Sequence, residues 1–203
     1  MPARSTEYME EMRERILMAT LRCLEREGLA NASLSDVCEE AGISRGALYV
    51  HFKSKSEILC AVVDRAAMLA SEKYQFNDAS ALREILISEF EFTSSEKPQV
   101  LYAEMELLAA ARTDAPLREA IRRSIDARSE QIRVGMRSLA ARRQLRDGVT
   151  AEGATRVVTC FIEGMMTQAF GTQGGTALHQ ESMLALLSGI LTPKTLRALT
   201  TTQ

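Results

Sequence analysis

Residues 41–59 read AGISRGALYVHFKSKSEIL: a glycine corner, a short run holding one tyrosine and one histidine, then two lysines two apart. Gly42 admits a left-handed turn that most residues resist. Ser44 is a preferred N-cap, so the spacing predicts a helix over Arg45–His51. A helix this short is not stable in water by itself. Its apolar residues must be clamped by neighbours, and Ile43, Leu48 and Phe52 fall where they can bury against a preceding helix. Arg45, Gly46, Ala47, Tyr49 and His51 are then left outside.

The preceding sequence supplies that neighbour. Thr6–Glu27 sets Met9, Met12, Ile16, Ala19, Leu21 and Leu24 broadly on one side and stops at Gly28. Ser33 caps a second helix, Leu34–Ala41, with Asp36 in capping-box position and Leu34, Val37 and Cys38 turned inward. Two short helices joined by a glycine turn make a helix-turn-helix, whose second helix can enter the DNA major groove. From spacing alone, a helical corner with a solvated basic edge stays equally open. Charge bears on the choice. Net charge is −2, and the first sixty residues hold eight Lys/Arg against ten Asp/Glu. Yet no acid falls between Glu40 and Glu57, the window that carries Arg45, His51, Lys53 and Lys55. Because salt screens charge beyond about 8–10 Å, a local basic footprint can outweigh the total.

The rest of the chain reads as helix. A hydrophobic fraction of 46%, only four prolines and no tryptophan fit an all-α protein of about nine helices. A fourth helix begins at Ser54 or Ser56 and carries Ile58, Leu59, Val62, Val63, Ala66 and Leu69 to about Phe76. Further helices are expected over Ala79–Ser94, Pro98–Ala111, Ala115–Arg143, Thr150–Phe170 and Leu178–Leu191, with a loop at Thr172–Thr176 and a turn after Pro193. Cys23, Cys38, Cys60 and Cys160 lie singly among apolar residues and read as buried free thiols. No signal-peptide core or membrane-length run is present, so a cytoplasmic location is expected. An enzyme is disfavoured: the two histidines, His51 and His179, form no Glu-x-x-His pair, and there is no metal-spaced cysteine set and no glycine-rich phosphate loop. No metal or cofactor is expected.

The run AGISRGALYVHFKSKSEIL resembles the DNA-binding signature of the TetR family of bacterial transcriptional repressors. The likeness covers the Ala-Gly-aliphatic-Ser turn, Arg45–Gly46, Leu48–Tyr49, His51–Phe52 and Lys53-x-Lys55 leading to Leu59, with Ser33 and Val37 upstream. Val50 and Cys38 depart from the family's usual residues and bear on packing detail. The resemblance implies an N-terminal three-helix DNA-binding domain, 1–55, and an effector-binding and dimerisation domain, 56–203. It also implies a homodimer on a palindromic operator, released by a small organic effector. Carried over by position, Ser35 and Arg45 face bases, Gly46 and Ala47 allow close approach, and Ser33, Ser44, Tyr49, His51 and Lys55 face phosphate. The other class of reading is a helical interaction module without sequence-specific DNA binding.

Helical phase describes the C-terminal half. Glu89, Glu104, Arg128 and Gln168 each interrupt an apolar stripe, and unpaired buried charge is costly. Either Glu89 or Glu104 pairs with Arg128 as a structural bridge, or these groups orient a ligand in a pocket lined by Phe90, Met105, Phe161 and Met165. Two acids against one arginine favour a cationic or amphipathic effector. Ten arginines against four acids in 112–146 read as a solvated face. Of the last two long helices, Thr150–Phe170 carries Val158, Ile162, Met166 and Ala169 away from the pocket side, and Leu178–Leu191 carries Met183, Leu186, Leu187, Ile190 and Leu191, so the pair is apolar on two sides. They are expected to form the homodimer interface, unless both sides are covered within one chain.

Overall fold

The computed structural model describes residues 6–93, 98–168 and 176–200. Loop residues 172–175, and the expected helix ends at Ser94, Ala169 and Phe170, lie outside them. Among the described residues the chain is all-α, with ten helices and one isolated antiparallel bridge, Leu145 to Leu191. None of these helices is long and apolar enough to cross a membrane.

The first three helices have the predicted bounds: α1 (Thr6–Glu27), α2 (Leu34–Ala41) and α3 (Arg45–His51). Local chemistry explains the precision. Ser33 and Asp36 form a reciprocal capping box at α2. Gly42, at φ 62° and ψ 41°, closes its other end, donating back to Cys38 and Glu39. The Ser44 hydroxyl accepts from the Ala47 N–H to start α3. α4 (Lys55–Lys73) stops short of Phe76, because Tyr74 and Phe76 turn into a core and Asp78 caps α5 (Ala79–Thr93) by accepting from Ala81 N at 2.9 Å. α6 (Pro98–Ala110), α7 (Ala115–Ala141), α8 (Ala151–Gln168) and α9 (Thr176–Ile190) follow. The expected turn after Pro193 is a full helix, α10 (Pro193–Thr200), capped by Thr192.

Two compact units emerge, and neither is continuous in sequence. The first comprises Met1–Ala67 and Gln99–Ser124; the second comprises Met68–Pro98 and Ile125–Gln203. The first unit's core joins Ile16, Leu24, Val37, Leu48, Phe52 and Ile58 to Leu117 and Ala120 of α7. The second unit's core joins Leu82, Leu86, Ile132, Met136, Leu139, Val158, Ile162 and Leu187.

Some helix faces lie about one residue's 100° away from the expected phase. Leu69, expected inside, is 54% exposed. Val158 and Ile162, expected to face a partner subunit, are buried in the chain's own core.

Gly135, in the middle of α7, is fixed by contact rather than by conformation. A Cβ there would lie 2.3 Å from the Phe76 ring. Alanine favours a helix interior by about 1 kcal/mol over glycine, but overpacking costs about 1–3 kcal/mol. Gly135→Ala is therefore expected to lower stability in a urea melt; a stabilised variant would mean the ring yields freely.

Candidate nucleic-acid interface

The interface is built on α3. Leu48 and Phe52 are both 0% exposed and hold one side of the helix in the core of the first unit. Ser44, Arg45, Gly46, Tyr49 and Val50 are exposed and Ala47 is half-buried. Val50, at 61%, is an outward apolar surface beside Tyr49. The two residues expected to face bases meet each other: the Arg45 guanidinium donates to the Ser35 hydroxyl. Ser33 is also exposed but is occupied in the α2 cap. A side chain at Gly46 would meet only Ser44 Oγ at 3.8 Å, so space within the protein does not require glycine there.

Two expected phosphate contacts are not on this surface. His51 is 9% exposed, because it follows Leu48 by three residues and shares its inward face. Lys55 is half-buried, and its ammonium donates to the carbonyls of Leu29 at 2.9 Å and Ala32 at 2.6 Å. Lys53, its neighbour in the motif, has the exposed side chain.

Residues of α1, which sequence reading did not single out, complete the site. Arg13 Nη1 donates to the His51 carbonyl at 3.0 Å, and its guanidinium lies 4.1 Å from the Phe52 ring centroid. It thus satisfies a terminal carbonyl of α3 and covers the apolar plug. Arg15 Nη2 lies over the turn, 2.8 Å from where a Cβ at Gly42 would stand. The only sequence hint is helical phase, since Arg13 precedes the buried Ile16 by three residues. One nearby acid of α2 is already paired. Glu40 takes Arg22 at 2.6 Å and Arg26 at 3.0 Å, and these guanidiniums, Arg22 foremost, hold its carboxyl below the usual carboxylate range.

In the second unit, Glu89 is 4% exposed and accepts from Lys73 Nζ at 2.6 Å and the Tyr74 hydroxyl at 2.8 Å. Burial first, then the Glu89 carboxylate, push the Tyr74 phenol well above its ordinary value, with Arg128 opposing. Arg128 pairs with Glu163 at 3.0 Å, so the expected bridge from Arg128 to Glu89 or Glu104 is replaced by two others. Phe90 and Phe161 are half-buried, Met165 is buried and Gln168 is exposed. Glu104 and Met105 sit in the first unit and are exposed; the inward acid of α6 is Glu106. Lys73 and Glu163 balance the local charge at two cations against two acids, which gives no preference for a cationic effector. Among the cysteines, Cys160 is exposed rather than buried. No group of three or more metal-ligating side chains occurs among the described residues.

A sequence profile described as bacterial regulatory proteins, tetR family, matches residues 16–62. The HTH-type transcriptional regulator AcrR of Shigella flexneri is 31% identical over 112 residues, covering 52% of each chain. The HTH-type transcriptional repressor BepR of Brucella suis biovar 1 is 25% identical over 78% of this chain and 80% of its own. The chain spans about half the length or less of the first curated relatives it matches. A solved complex of SmeT with triclosan is 26% identical, with a TM-score of 0.74 over 91% of this chain and 94% of that one. SmeT is described as the repressor of the Stenotrophomonas maltophilia multidrug efflux pump SmeDEF.

Removing the Arg13 grip should loosen α3. Arg13→Ala is expected to cost about 1–2 kcal/mol in chemical denaturation, from a charged hydrogen bond and a cation–π contact. Arg13→Lys should recover only part, since an ammonium lacks the planar fork. Full recovery by lysine would reduce Arg13 to a point charge.

Proposed function

Because the chain belongs to the tetR family of bacterial regulatory proteins, we propose that it is a ligand-responsive transcriptional repressor acting as a homodimer on a palindromic operator. It is a transcription regulator of that family and not an enzyme. The observation that carries the proposal is Arg45, exposed at the N-terminal end of a fully clamped α3 and oriented by Ser35.

Residues 1–55 are the DNA-binding domain in this reading. Arg45 makes the base contact, bidentate to guanine, and Ser35 aims it. Ser33, Ser44 and Tyr49 take phosphates, which fix register without reading sequence. Gly46 and Ala47 let the helix axis come close to the base edges. His51 and Lys55 are left out of the DNA contacts, for the reasons of burial and pairing given above.

Residues 56–203 take the effector and the partner subunit. A small amphipathic organic molecule would engage the second unit near Phe90, Arg128, Phe161 and Met165, and the triclosan complex of SmeT supports that chemistry. Its binding must favour a conformer that fits the operator poorly, since a ligand shifts an equilibrium only by its differential affinity. The homodimer forms through α8 and α9, whose outward apolar residues include Val157 and Leu184. It spaces two copies of α3 about 34–36 Å apart, one DNA turn. Work on an operator places the protein in the cytoplasm.

The first test is a gel shift with DNA flanking the gene, at low and moderate salt. A specific, salt-sensitive complex is expected; its absence would favour the interaction-module reading. Arg45→Ala should lose about 1–3 kcal/mol of discrimination at one base pair per half-site, and unchanged operator preference would remove Arg45 from the readout. Light scattering on the eluting protein should give a dimer mass. A monomer at micromolar concentration would overturn the palindromic arrangement.

A further inference from the structure

Residues 28–33, between α1 and α2, are gripped from two sides by side chains distant in sequence. From the first residue of α4, Lys55 Nζ donates to the Leu29 carbonyl at 2.9 Å and the Ala32 carbonyl at 2.6 Å. From α6, 77 residues along the chain, a carboxylate oxygen of Glu106 accepts the Leu29 N–H. The same carboxylate lies against Gly28, 3.0 Å from where a Cβ would stand. Both backbone polar groups of Leu29 are therefore satisfied by charged side chains of opposite sign, the donor end by an acid and the acceptor end by a base. Charge-assisted bonds of this kind are about twice as strong as neutral ones.

The loop so held ends at Ser33, the N-cap of α2. Ser35, in the first turn of that helix, holds the Arg45 guanidinium. A displacement of the loop therefore moves the cap, the helix start and the group that aims Arg45. All of these residues, including Glu106, lie in the first compact unit.

We propose that Lys55 and Glu106 form a clasp on Leu29 that sets the base-reading geometry, which makes α6 a working part of the DNA-reading head and Glu106 a positioning residue for Arg45. The proposal rests on the operator-binding reading above. It assigns Lys55 inward, as a loop clamp, in place of the phosphate contact that its motif position suggests.

The experiment uses the full chain and a duplex enriched by the wild-type protein from a randomised pool, with a scrambled duplex for comparison. Affinities are measured from about 50 to 200 mM salt. Glu106→Ala is expected to bind the enriched duplex about tenfold more weakly, with its scrambled-duplex affinity and salt slope unchanged. Glu106→Gln, whose amide oxygen can still accept the Leu29 N–H, should stay within about threefold of wild type. If the alanine variant does not fold, Glu106→Asp, one methylene shorter, decides: it should weaken the enriched duplex alone. Lys55→Met should lose affinity for the enriched duplex without a change of salt slope. A fall in that slope of about one per subunit would restore the phosphate contact and overturn the clamp. A folded Glu106→Ala or Glu106→Asp variant with wild-type discrimination, or an equal loss on both duplexes, would overturn the positioning role. If the wild type enriches no sequence, the operator reading itself fails and takes the clasp's role in recognition with it.

Discussion

A helix of seven residues has to be held by something other than its own hydrogen bonds. Nucleating a helix costs about 4 kcal/mol when the nucleation constant is on the order of 10⁻³. Burying Leu48 and Phe52 completely returns about 1.5–3 kcal/mol each. These two side chains therefore offset the cost of forming α3 and leave its other side unconstrained by packing. The rest of the first unit is arranged around that anchorage. Gly42 sets the angle of entry, Ser44 closes the first turn, and Arg13 closes the last turn while covering the Phe52 ring. Residues free to meet another molecule are free because their neighbours along the helix are not.

The elements near the amino terminus were legible because their signals are local. Ser33 with Asp36, Gly42, and Ser44 act within one turn of chain, and the observed caps are the ones their spacing implies. The site was only partly legible. The outward placement of Arg45, Gly46 and Tyr49 followed from where Leu48 and Phe52 had to go, but His51 was placed outside although it shares the inward face of Leu48. Lys55 was read as a surface cation because a motif position does not say which way a flexible stem bends. Arg13 and Glu106 each grip a backbone group tens of residues away, and helical phase alone does not reveal such a partner. On α6, apolar residues surround more than one acid, and phase alone selected Glu104 where the fold uses Glu106.

Charge count is a poor guide to this surface for a related reason. The acidic excess of the first sixty residues suggests a surface that repels phosphate, yet Glu40 is held by two arginines and Glu14 by Arg65. Paired charges largely cancel beyond a Debye length. What a polyanion meets is the residue left over, which near α3 includes Arg45 and Lys53. In the second unit the same pairing logic acts inside, where Glu89 can be buried because Lys73 and Tyr74 arrive with it.

The seat of Phe76 on Gly135 also constrains inheritance. With ring carbons 2.3–2.5 Å from where a Cβ would stand, the two positions cannot drift independently. A lineage that enlarges residue 135 must first shrink residue 76, and the intermediate with a small residue at both positions carries a void. Across descendants of this chain, the two sites should therefore be exchanged as a pair, and a glycine far from any turn becomes a record of which aromatic ring it accommodates.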